Sequence, residues 1–166
     1  MILDLSPVVN IDGKRLNFET QLDFCGNEDI DLKFLKPVQV SGVIANIGGS
    51  LELSATAKTV LECSCDRCCE PFDKTFECSF EEVLKKEDAW SKDDQNPDAV
   101  YFQGSSIELD ELVLNNIIVS LPLKNLCKDD CRGLCPVCGK NLNSGECGCD
   151  VRPMDPRFDA LDKFFE

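Results

Sequence analysis

Twelve cysteines and no histidine in 166 residues constrain this chain more than any other feature. Its first residues, MILDLSPVVNIDGKRL, carry neither the basic n-region nor the apolar h-region of a secretory signal. No apolar run has the length of a transmembrane helix. A soluble, cytoplasmic protein is therefore expected. In a reducing cytosol, clustered cysteines read as metal or redox centres rather than disulfides. Without histidine a metal site must be built from thiolates, which favour zinc or an iron–sulfur cluster.

The C-terminal cysteines run Cys127-x3-Cys131-x3-Cys135-x2-Cys138-x8-Cys147-x-Cys149. Within them CPVCG at 135–139 is a zinc-knuckle sequence. Two cysteines spaced by two residues curl around one metal with backbone N–H groups aimed at the sulfurs. Pro136 fixes the turn, and Gly139 permits a left-handed backbone just after the second ligand. Six thiolates do not divide into fours. Cys65 and Cys68, a second C-x-x-C, bring the total to eight, enough for two tetrahedral zinc sites. Keeping near neighbours together places Cys135, Cys138, Cys147 and Cys149 in a terminal zinc ribbon. Cys127 and Cys131 then join Cys65 and Cys68. A rival grouping puts Cys127, Cys131, Cys135 and Cys138 in one site. Cys63 and Cys78 fall on apolar strand faces and read as core residues. Cys25 has no partner pattern, and Cys69 could replace Cys68.

The rest of the chain is strand-rich. Apolar alternation marks strands at 16–24, 38–46, 51–63 and 72–80, with a turn at Gly48-Gly49-Ser50. The last two strands read as an antiparallel hairpin whose connection, CDRCCEP, puts the first C-x-x-C at its tip. Residues 85–98 are polar, acidic and without periodicity, and read as a flexible loop. Leu109, Leu112, Val113 and Ile117 fit a helix over 107–120, capped by Ser106 or Asp110 and ended by Leu121-Pro122. DPRFDALDKFFE reads as a second helix. The expected fold is α+β: a mainly antiparallel sheet or partly closed barrel with two helices and a C-terminal zinc ribbon. Its segments are a core domain over 1–126, a Cys-rich segment over 127–150, and a helix over 151–166 packed on the core.

The formal net charge is −14, and each zinc held by four thiolates adds about −2. Long-range electrostatics then oppose a phosphate backbone and favour a basic protein partner. A closed shell of four thiolates leaves no open position for catalysis, and the commonest general base is missing. No phosphate-binding glycine loop or nucleophile elbow occurs. The chain is expected not to be an enzyme and to have no small-molecule substrate. Thiol exchange at CDRC or CPVC is the redox alternative.

Three stretches, LECSCDRCCEPF, IELDELVLNNIIVSLP, and LCKDDCRGLCPVCGKNLNSGECGCD followed by DPRFDALDKFF, carry a resemblance. In them the chain resembles the YceD-like family of large ribosomal RNA subunit accumulation proteins. The resemblance implies a role in accumulation of large-subunit rRNA, hence in ribosome biogenesis, and does not imply an enzymatic activity. With that role, the acidic charge points to a basic ribosomal protein or a pre-ribosomal particle of the large subunit as the expected partner, with direct rRNA contact as the rival. Cys63 and Cys69, which flank the hairpin knuckle, are this chain's departure from the pattern. A zinc-ribbon adaptor in transcription is the alternative from a different functional class.

Overall fold

A computed structural model describes residues 1–26, 32–87 and 99–150. The chain divides into two compact units. The first comprises Met1–Cys63 and Asp73–Leu123; the second comprises Ser64–Phe72 and the chain from Lys124 onward.

The first unit is built around a sheet in which β2 (Arg15–Leu22), β4 (Val38–Ile47), β5 (Ser50–Ser64), β6 (Pro71–Lys86) and β7 (Ala99–Phe102) lie side by side in that order. A short β3 (Lys33–Phe34) adds to β5. Pairings β2–β4 and β4–β5 are antiparallel. Across β5 and β6 a Thr56–Ser79 hydroxyl pair and a Lys58–Glu77 ion pair run in opposite chain senses, which makes the predicted hairpin antiparallel. At their tip both strands run into the second unit.

Burial follows the period-two pattern. Leu51, Leu53, Ala55, Ala57 and Leu61 of β5 meet Phe76, Cys78, Phe80 and Leu84 of β6 in one apolar cluster. Cys78 is buried there and Cys63 packs against the same cluster, as core residues would. Gly42 sits opposite Ala55 because a Cβ there would lie 2.7 Å from the Ser54 carbonyl oxygen. Gly48 and Gly49, both at positive φ, turn β4 into β5.

Helix α2 (Leu109–Ser120) adds Leu109, Leu112, Val113 and Ile117 to the core. It starts later than the sequence suggests. Residues Ser106–Glu108 form β8, paired antiparallel with β1 (Ile2–Asp4), so their backbone groups are taken before a helix can begin. Neither Ser106 nor Asp110 caps it; the N-cap is Glu108, without a side-chain cap. Asp110 instead pairs with the Met1 amino group, in a first turn where negative charge favours the helix. A four-residue helix α1 (Ser6–Val9), which lacks a recognisable period, follows β1.

The sheet is mainly antiparallel, as expected, with one parallel pair: β7 runs parallel to β6 from Val83↔Ala99 to Lys86↔Phe102. The first two residues of the polar stretch expected to be a loop over 85–98, Lys85 and Lys86, instead belong to the end of β6. Of the two expected forms the open sheet is the one seen: among the described residues β2 and β7 remain separate edges, and no barrel closes. The helix expected over 151–166, and residues 88–98 of the acidic loop, lie outside the described residues. Among those described, no helix is long and apolar enough to cross a membrane.

Candidate metal centres

Each C-x-x-C builds the same turn. In the hairpin tip the Cys65 N–H donates to the Glu70 carbonyl (3.0 Å) and the Cys69 N–H to the Cys65 carbonyl (2.8 Å). In the C-terminal segment the Cys135 N–H donates to the Lys140 carbonyl (2.8 Å) and the Gly139 N–H to the Cys135 carbonyl (2.9 Å). Offsets from the first cysteine are identical. The fifth residue of each turn is left-handed: φ is 73° at Gly139 and 59° at Cys69. Cys69 thus holds the position that glycine holds in the other knuckle. It is exposed and belongs to neither cluster, so it does not replace Cys68.

The eight cysteines come together in two groups of four: Cys65, Cys68, Cys127 and Cys131, and Cys135, Cys138, Cys147 and Cys149. Within each group all four sulfurs lie within 4.8 Å of one another. The rival grouping of Cys127, Cys131, Cys135 and Cys138 is not the one seen. In the first cluster Cys65 Sγ lies 3.8 Å from Cys131 Sγ, and Cys68 Sγ lies 3.7 Å from Cys127 Sγ. Four sulfurs about 2.3 Å from one tetrahedral ion stand about 3.8 Å apart, so the donor set fits a single metal. A disulfide would bring two sulfurs to about 2.05 Å, and all twelve cysteines are free thiols. Cys65, Cys68 and Cys131 are buried; in the second cluster Cys135 is buried and Cys138 is exposed.

Backbone N–H groups converge on the sulfurs. The Cys127 N–H reaches Cys65 Sγ at 3.4 Å and, with those of Cys68 and Arg67, holds the thiol down to about 6. The N–H groups of Cys138 and Val137 likewise hold Cys135 down to about 6. Later ionisations are opposed. Burial, then the neighbouring thiols, pushes Cys127 up to about 12, and the thiols of Cys138 and Cys147 push Cys149 up to about 12. Each cluster therefore forms its first thiolate readily and resists the last. A bound cation removes that resistance and displaces protons.

Residues without a motif of their own in the sequence hold the clustered cysteines in place. Asp66 and Asn125 exchange two hydrogen bonds (2.8 and 2.6 Å), fixing the approach to Cys127. The Arg67 guanidinium donates to the Cys131 carbonyl at 2.8 Å. Gly133, at φ 74°, lets the chain pass the Arg67 carbonyl, which would lie 3.0 Å from a Cβ. Asn143 Nδ2 donates to Cys131 Sγ at 3.3 Å. The only local signal for this last contact is the Asn-x-Asn of 141–143, an Asx-turn sequence.

A family model described as large ribosomal RNA subunit accumulation protein YceD matches residues 53–165. An uncharacterised protein of Mycobacterium tuberculosis (strain H37Rv) is 30% identical over 109 residues, 65% of this chain and 51% of that protein. The chloroplastic large ribosomal RNA subunit accumulation protein YCED homolog 1 of Zea mays is 26% identical over 145 residues, 70% of this chain and 50% of its own length. Its Arabidopsis thaliana namesake is 23% identical over 155 residues, 75% of this chain and 47% of its own. The chain spans about half the length of the curated relatives it matches. No solved structure matches it. With more than half of its length matched, both knuckles and the intervening helix included, the chain belongs to the YceD family of large ribosomal RNA subunit accumulation proteins.

Proposed function

We propose that this protein is a non-enzymatic, zinc-binding factor for biogenesis of the large ribosomal subunit. In this reading it supports accumulation of large-subunit rRNA in the cytoplasm. Family membership carries the reading: the matched span holds all eight clustered cysteines, and the plant relatives bear the rRNA-accumulation name. Zinc is favoured because four sulfurs within 4.8 Å leave room for one tetrahedral ion, whereas a multi-iron cluster would hold its thiolates further apart. A shell closed by four thiolates offers no position for a substrate, which supports a binding role. The net charge of −14 favours a basic ribosomal protein over bare rRNA as the direct partner.

Depletion tests the reading first. Mature large subunits and their rRNA are expected to fall while small subunits persist; an unchanged subunit ratio rejects the ribosomal role. Pull-down from nuclease-treated lysate tests the partner. A large-subunit ribosomal protein retained after RNA digestion, and released by salt, supports capture of protein. Loss of all partners with the RNA assigns the contact to RNA.

A further inference from the structure

The two clusters are adjacent in sequence, linked by Arg132-Gly133-Leu134 between Cys131 and Cys135. The loop between Cys138 and Cys147 folds back onto this strap. Leu134 forms a bridge with Asn141, and the Leu142 N–H donates to the Gly133 carbonyl at 2.9 Å. A 3-10 turn over Leu142–Ser144, with Asn141 as its cap, then presents Asn143. Both ends of its carboxamide are used. Oδ1 accepts the Arg132 N–H at 2.9 Å. Nδ2 donates to Asn141 Oδ1 at 2.9 Å and to Cys131 Sγ at 3.3 Å. A residue placed in sequence between two cysteines of the second cluster thus supports a sulfur of the first.

We propose that Asn143 is a positioning residue that couples the two clusters, so that metal closing the second tightens metal binding at the first. The proposal rests on the two-metal reading above. Metal bound by Cys135, Cys138, Cys147 and Cys149 ties both ends of the 139–146 loop. The entropy of holding that loop is then already lost when Asn143 meets the Cys131 thiolate. Linkage makes the effect reciprocal: metal at the first cluster steadies Cys131 and Arg132, and through them the loop. Outer-shell partners of metal ligands typically carry 10- to 100-fold in metal affinity, which sets the expected size.

The test uses the full chain, reduced and stripped of metal, titrated with Zn2+ against a chromophoric chelator. A parallel Co2+ titration follows the thiolate-to-metal absorption. Wild type is expected to bind two metals. Cys147→Ser keeps all four ligands of the first cluster; it is expected to bind one metal there, about 10- to 100-fold more weakly. Asn143→Ala keeps all eight cysteines; it is expected to bind two metals, with the first cluster weakened by a similar factor. In the Cys147→Ser background Asn143→Ala should add little, because the coupling is already lost. Amide exchange at Arg132, the donor to Asn143, should accelerate in Asn143→Ala, which keeps the proposal testable if Cys147→Ser does not fold. Wild type holding fewer than two metals overturns the two-metal reading and this proposal together. Two metals in wild type, with first-cluster affinity unchanged in Asn143→Ala, overturns the proposal alone. Full additivity of the two substitutions also overturns it.

Discussion

The two units are held together by different physics. In the first, Leu53, Leu61, Leu84, Ile44 and Ile117 are among many apolar side chains that are almost wholly buried. In the second, the buried side chains among the described residues are four cysteines, Cys65, Cys68, Cys131 and Cys135, with Phe72, Leu126 and Cys127 partly buried against three of them. A region so poor in apolar burial does not offset its chain entropy, and small units of this kind usually need metal or disulfides. The lesson is that one chain can place a hydrophobic core and a sulfur core on successive stretches of the same hairpin. Each should respond to its own perturbation.

Metal removal should separate them most. Structural zinc contributes about 10–16 kcal/mol in zinc-finger peptides, more than any single core side chain. Under reducing conditions a strong chelator should abolish amide protection at 65–72 and 124–150 while strands β2 and β4 and residues 50–63 of β5 stay protected. Loss of protection across both units in one step would break the comparison.

Acid should do the same more gradually. Cys65 and Cys135 are held at about 6, below the ordinary thiol value of 9.0. Their thiolate contribution is complete above that ordinary value and is lost as pH falls through about 6. Metal retention, read with a chromophoric chelator, should decline on acidification below about pH 6 and improve on raising the pH. Release that increases with pH would contradict the thiolate assignment.

The hydrophobic unit should fail independently. Leu53→Ala empties a site that is 1% exposed near the start of β5 and should cost about 2–5 kcal/mol in urea unfolding. Metal content should stay at two per chain. A fall in metal content would tie the cores together.

A smaller effect is expected at Asn46, a polar residue in that apolar core. Its Nδ2 donates to the Val8 and Val9 carbonyls at 2.8 and 3.0 Å, and its Oδ1 accepts the Gly49 N–H at 3.0 Å. Asn46→Ala strands these groups and should cost about 1–3 kcal/mol, again without metal loss. A cost near zero in the same unfolding measurement would show that water replaces the amide.

The smallest change is at Cys69. Glycine is the residue that the matching turn uses, so Cys69→Gly relieves a left-handed backbone. It should alter stability by no more than about 1 kcal/mol, with two metals retained on elemental analysis. Loss of a metal would make Cys69 a ligand after all.

Much of the strand layout was legible because apolar alternation is a local property. The strand predicted at 51–63 is β5, Ser50–Ser64, with the expected side chains inward. That predicted at 72–80 continues to Lys86, because β7 pairs along its far end. Local sequence could not announce that parallel partner, nor the pairing of β1 with β8 that delays helix α2 to Leu109. Both depend on which backbone edges meet after collapse.

Residue types and short spacings set the chemistry of the clusters. Absence of histidine left cysteines as the candidate ligands, and C-x-x-C spacing sets each knuckle, because those constraints act within a few residues. Folding chose which distant cysteines join each cluster, why Cys69 stands outside while Cys68 turns in, and that Asn143 reaches a sulfur of the other cluster. Those choices rest on how far and in which direction separate segments approach, and spacing along a chain does not encode distance across it.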